Sequence, residues 1–188
     1  MDDNEVKAAS IAKMLEGRVV PDEKRVQICI KGAVLGFPAT LEAVRVGYPF
    51  GVSYYLETKV VDDPHSSSDQ NALRMTIIPR AVRGFLSPIL RMFLMEPKGQ
   101  DLGMPKLDAA FVSSFNEPRI AERLVRYPGI QENLLELAKV SPFSELLVRT
   151  DAGLYLAQRK SFRDLDLDVC KVTFKLLGGI GQIISDSF

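Results

Sequence analysis

Hydrophobic and polar positions change period several times along the chain, and each change predicts an element. In residues 4–16, Val6, Ile11, Ala12 and Leu15 fall on one face of a helix, with Gly17 as its stop. The period then drops from about 3.6 to two. Val26, Ile28 and Ile30 alternate with Arg25, Gln27, Cys29 and Lys31, the pattern of a half-buried strand. Gly32 and Gly36 bracket a turn. Residues 37–46 form the next strand, where Leu41 and Ala43 run out of phase with Val44 and Val46, so a bulge is expected. A second turn at 47–51 leads to a strand over 52–61, with Val52, Tyr54, Leu56 and Val60 in phase. A fourth strand at 73–78 uses Leu73, Met75 and Ile77. Short connections favour antiparallel neighbours. Between these last two strands, residues 62–71 carry no periodicity and read as a polar surface loop.

Residues 80–95 are apolar and basic. One helix through all of them would hold Pro88 in its interior at a cost of about 3 kcal/mol. The pattern instead predicts Ser87 as an N-cap and a short helix over 88–95 with Pro88 at its first position. Further on, 108–115 reads as a strand. Residues 118–126 form a helix with Ile120, Ala121, Leu124 and Val125 on one face. Residues 130–139 form another, with Ile130, Leu134, Leu137 and Ala138 inward. Strands 146–150 and 154–158 make a hairpin across Asp151, Ala152 and Gly153. The longest helix is expected over 162–184, opened by a Ser161–Asp164 capping box, with Leu165, Val169, Val172, Leu176, Ile180, Ile183 and Ile184 on its apolar stripe. Burying those side chains at about 1.5–3 kcal/mol each outweighs the roughly 1 kcal/mol that each of Gly178, Gly179 and Gly181 costs in a helix. The glycines either permit close approach to a sheet or end the helix near Leu177.

Composition narrows the classes of function. The chain has 188 residues, with 24 basic and 24 acidic side chains, 46% hydrophobic and 26% charged residues. These proportions exclude a disordered, collagen-like or disulfide-framework chain. A neutral balance argues against a nucleic-acid binder. Cys29 and Cys170 stand far apart without chelating spacing and are expected as free thiols. The start, Met1-Asp2-Asp3-Asn4-Glu5, lacks the basic and apolar regions of a secretory signal, and no apolar run reaches the roughly 20 residues of a spanning helix. A cytoplasmic protein is the expectation.

Candidate chemistry is sparse. Asp164, Asp166 and Asp168 imitate the first ligands of a calcium loop, but Val169 stands where glycine is needed and Lys175 where a bidentate glutamate is needed. Acidic residues in the first turns of a helix suit its dipole without any metal. His65, the single histidine, lies beside Ser66, Ser67, Ser68 and Asp69. Those are the residue types of a hydrolytic triad, in a polar loop that offers no rigid scaffold. One histidine and two isolated cysteines make no zinc site. The glycines at 178, 179 and 181 close a helix, whereas a dinucleotide fingerprint opens one, and the Lys-Ser/Thr of a phosphate loop is missing. No catalytic residue, cofactor site or metal site is assigned.

The most function-like feature is the segment 74–98, with five basic residues against one acidic. Arg80, Arg83 and Arg91 interleave with Phe85 and Phe93 as a candidate interaction patch for a protein partner or an anionic membrane surface. Four net charges supply about 4 kcal/mol at an anionic leaflet, enough for reversible binding only. A core-packed connection with solvated arginines is the competing reading.

Gly103, Pro105, Asp108 and Phe111 match a GDP-x-FD-x-x-F pattern that precedes a helix pair, a hairpin and a long closing helix. Over residues 72–185 the chain thereby resembles uncharacterised bacterial α+β proteins, with Met104 and Leu107 replacing the pattern's acidic and aromatic residues. The resemblance implies a bacterial source and this order of elements, and it brings no activity with it.

One α+β domain over 1–188 is expected: a helix and β-meander (1–79), a basic-apolar connection (80–106) and a β-α-α-β-β-α part (107–188). Helices 118–139 and 162–184 should cover one face of an antiparallel sheet, because alternating strands need one face buried. With no convergent catalytic set, a non-enzymatic binding or regulatory module leads. A small-molecule binder or enzyme with a cleft between sheet and helices comes second, with Phe37, Tyr48, Phe50, Tyr54 and Tyr55 as wall residues. A homo-oligomer joined through the meander's edge strand is third.

Overall fold

The computed structural model describes residues 3–21, 26–44, 51–58, 72–83 and 99–187. Of the expected turn at 47–51, residues 47–50 lie outside the described residues and Gly51 opens a strand; the loop 62–71 with His65, the helix 88–95 and its Ser87 cap also lie outside them. The strands are β1 (Arg18–Val20), β2 (Val26–Val34), β3 (Phe37–Val44), β4 (Gly51–Glu57), β5 (Arg74–Pro79), β6 (Phe111–Phe115), β7 (Glu145–Arg149) and β8 (Gly153–Gln158). They form one eight-stranded antiparallel sheet in the order β1-β2-β3-β4-β8-β7-β5-β6. The helices are α1 (Asp3–Met14), the single turn α2 (Arg80–Arg83), α3 (Pro105–Ala110), α4 (Pro118–Val125), α5 (Ile130–Val140) and α6 (Leu167–Ser187). The expected α+β class, an antiparallel sheet with a long C-terminal helix, is what the chain adopts.

Period-two alternation places one row of side chains toward the helices. Ile30, Leu41, Tyr54, Leu156, Leu146 and Ile77 stand opposite one another across six strands, and all are fully buried. α5 and α6 pack against each other, α1 lies beside α6, and α6 crosses β2, β4 and β8. Phe174 of α6 meets the Tyr54 ring edge-on at 5.1 Å and 64°. The buried Tyr54 hydroxyl donates to Gln158 Oε1 at 3.1 Å, and Gln158 Nε2 donates to Ser141 Oγ, so these three buried side chains partner one another.

The structure departs from the sequence pattern at several points, each with a local cause. The segment expected as a strand from residue 108 starts as α3, and the strand begins at Phe111. Pro105 fits the first helical turn, and the Asp108 carboxylate accepts from the backbone N–H groups of Leu102 (2.8 Å) and Met104 (2.9 Å). The long helix starts at Leu167. The Ser161–Asp164 pair closes the preceding turn, and Asp166 is the cap, its Oδ1 accepting from Asp168 N–H (2.8 Å) and Val169 N–H (3.0 Å). The helix runs on past Leu177 to Ser187, and its buried side is rotated from the expected stripe. Cys170, Thr173, Phe174, Leu177, Gly178 and Gly181 face inward, while Val172 is 36% exposed. On α1, Ala8 takes the inward place and Val6 is 45% exposed.

The bulge expected in β3 lies in its neighbour, between Val26 and Ile28. β1 was not foreseen. β5 does not neighbour β4, because the β7–β8 hairpin inserts between them.

Two turns hold non-glycine residues in left-handed backbone. α1 ends in a Schellman motif, with Gly17 N–H to Ala12 O at 2.8 Å and Glu16 N–H to Lys13 O at 3.2 Å. Glu16 (φ 50) therefore occupies the position glycine usually takes. Gly17 is required for space, since a Cβ there would stand 1.9 Å from Lys31 O. Gly32 does not bracket a turn. It is a ladder residue opposite Ala39, where a Cβ would stand 2.3 Å from Leu15 O. The β2–β3 turn is made by Leu35 (φ 51) and Gly36 (φ 85), both left-handed, a geometry that favours Asn-Gly.

Two opposite outcomes follow for denaturant unfolding. Gly32→Ala is expected to lose about 3 kcal/mol or more, because the clash is with backbone. Leu35→Asn is expected to gain about 1 kcal/mol, because a left-handed Leu costs roughly 1–2 kcal/mol.

Candidate functional site

The described helices sit on one face of the sheet. On the other, the same alternation raises a second row: Lys31, Thr40, Tyr55, Tyr155, Leu147 and Thr76, side by side across β2, β3, β4, β8, β7 and β5. Over this row from Lys31 to Leu147 lies a hollow of about 630 Å³, whose lining also includes Glu42, Glu57 and Arg149. Its floor is aromatic and aliphatic, and its rim carries charges of both signs.

The centre is ordered by pairing. Tyr55 and Tyr155 are direct cross-strand partners with ring centroids 4.9 Å apart at 49°. The Tyr155 hydroxyl lies 3.3 Å from Ser53 Oγ. Burial pushes the Tyr55 phenol up to about 12, and the neighbouring Glu42 carboxylate, which accepts its hydrogen bond, adds to the shift. Burial likewise raises the Glu145 carboxyl. At the edge of the hollow Arg149 grips Asp151 with two bonds, Nε–Oδ1 at 3.1 Å and Nη2–Oδ2 at 2.8 Å. Those bonds hold the Asp151 carboxyl below its usual range.

This arrangement suits recognition. At neutral pH the Tyr55 phenol carries its proton, so it acts as a hydrogen-bond donor and a contact surface. Tyr55 lies too far from ionisation to serve as a base near pH 7. Cys29 and Cys170 are buried, and burial pushes the Cys170 thiol up to about 12, which leaves it un-ionised and unreactive. Among the described residues no cluster of three or more His, Cys, Asp or Glu side chains is placed to hold a metal ion.

Of the sequence-predicted patch, Arg80 is exposed on α2 and donates from Nε to Asp108 O at 2.9 Å. The Arg83 side chain, Phe85, Arg91 and Phe93 lie outside the described residues, as do His65 and its serines. Of the five aromatics expected to wall one cleft, the three described are split between the two sheet faces. Tyr54 is packed in the core, Tyr55 projects from the opposite face and Phe37 is half-buried. Tyr48 and Phe50 lie outside the described residues. The sheet edges offer little ladder to a second copy. β1 has three residues, and at β6 Gln100 donates to Ser113 O (2.7 Å) and accepts from Phe115 N–H (2.8 Å).

Sequence reading missed Thr40, Ser53, Leu147 and Tyr155. Each is the out-of-phase member of a correctly placed strand, and the available signal was an aromatic at positions that alternation assigns to solvent. The class defined so far is an α+β protein with one sheet face under helices and one face bare of described helices. No family model matches the chain, and no curated protein or solved structure does. No helix among the described residues is long and apolar enough to cross a membrane.

The raised tyrosines fix a pH dependence. Tyr54, Tyr55 and Cys170 all hold their protons more tightly in the folded chain than in the unfolded one. Their contribution is fully present below the unfolded values of 9.0–10.0 and falls as pH rises above them, that of Tyr55 and Cys170 being lost by about 12. Thermal melts are expected to fall steeply above pH of about 10. Phenolate absorbance from these tyrosines should appear together with unfolding.

Proposed function

We propose that this chain is a non-enzymatic binding module that holds a protein partner against the sheet face opposite the described helices. The observation that carries the reading is the Tyr55–Tyr155 pair set on the hollow's floor by two central strands. A cross-strand tyrosine pair supplies large contact area at low entropic cost, and its hydroxyls give direction. Central strands hold these side chains on a rigid scaffold, which lowers the ordering cost of binding. The mixed rim of Lys31, Glu42, Glu57 and Arg149 favours a partner read by charge register over a uniformly charged surface such as a nucleic acid.

Benzophenone side chains placed at Thr40 or Leu147 are expected to give a discrete cross-linked adduct in the native cell, and the same probe at exposed Val6 is not. The adduct should vanish in a Tyr155→Ala background. Against the partner so captured, Tyr155→Ala is expected to weaken binding about tenfold or more. Equal adducts from Val6, or none from the face, would sink the reading.

A further inference from the structure

We infer that a second hollow, between the end of α1, the β2–β3 turn and α6, binds an aliphatic chain that ends in a single carboxylate. It is separate from the tyrosine-bearing sheet face and does not rest on that reading. Its volume is about 490 Å³, within the size of small-ligand sites. Buried Leu15 and Phe174 form its base, half-buried Met14 and Val34 its walls, and Leu35 its lip.

The charge around the rim selects the head group. Lys171 and Lys175 stand one turn apart on α6, both exposed, and neither makes an ion pair or a side-chain hydrogen bond among the described residues. Glu16 lies on the same rim, so the three charged groups sum to one positive charge. A monoanion neutralises it and a cation is repelled. The apolar base and walls accept no polar group, which makes the remainder of the ligand a hydrocarbon.

Backbone strain marks the same place independently. Glu16 and Leu35 are the described non-glycine residues with left-handed backbone, and both line this hollow. Leu35 is 63% exposed, so burial repays little of the conformational cost at that turn. The Leu35 side chain packs beside Gly178 of α6 and edges the hollow, so the strained turn presents an apolar group at that rim. Strain of this kind gathers at ligand sites.

Sodium decanoate, kept below its micellar concentration, tests the inference on the full chain by amide ¹H–¹⁵N shifts. Saturable shifts confined to 33–36 and 171–175 are expected. Lys171→Gln with Lys175→Gln should weaken binding about five- to tenfold, as two partly exposed ion pairs would. Leu35→Asn, which keeps the fold, should weaken it as well. Decyltrimethylammonium should not bind. No saturable shift, shifts centred on Tyr55 and Tyr155, affinity unchanged in the lysine double variant, or equal binding of the cation would each overturn it.

Discussion

The close seat of α6 on the sheet is the constraint on which the rest of the structure depends. At Gly181 an added Cβ would stand 2.6 Å from Leu56 Cδ2, and at Gly178 it would stand 3.0 Å from the side chains of Val34 and Leu35. A helix with ordinary side chains at both positions would ride higher. Phe174 would then lose its edge contact with Tyr54, and the gap would forfeit much of the dispersion gained by close packing. The two glycines weaken the helix locally and tighten the layer beneath it. The burial of Leu177, Ile180 and Ile184 beside them outweighs that local loss.

That seat also explains the division of labour between the two sheet faces. Tyr54 and Tyr55 are adjacent in sequence and chemically alike. One is locked under α6 with its hydroxyl bonded to Gln158, and the other projects into a hollow with its hydroxyl bonded to Glu42. The buried tyrosine specifies the core, since its polar atom must find Gln158 and Gln158 must find Ser141. The projecting one remains accessible to a partner. A single strand thus furnishes both the core and the opposite face because successive side chains point to opposite faces.

The sheet's edges and turns show the complementary economy. Gln100 satisfies the outer strand with one backbone bond and one side-chain bond, which blunts an edge that would otherwise template pairing with another chain. The β2–β3 turn and the end of α1 instead retain strained backbone where easier residues exist. Where a fold spends stability against its own local preferences, selection for something other than stability is the physical explanation.

Much of this architecture was legible from period alone. The strands around Val52–Leu56, Leu73–Ile77, Leu146–Val148 and Leu154–Leu156 carry an apolar side chain at every second position, and α4 and α5 repeat at helical spacing, so burying their apolar sides decides their type. The pattern failed where a specific hydrogen bond outweighed it, as at Asp108, whose carboxylate turns an apparent strand start into a helix. The candidate face was not legible. Tyr55 and Tyr155 lie a hundred positions apart, and only the insertion of the β7–β8 hairpin beside β4 brings them into register. Periodicity reports which side of its own strand a residue takes. Which strands become neighbours is decided by the packing of the whole layer, and that is a property of the tertiary structure.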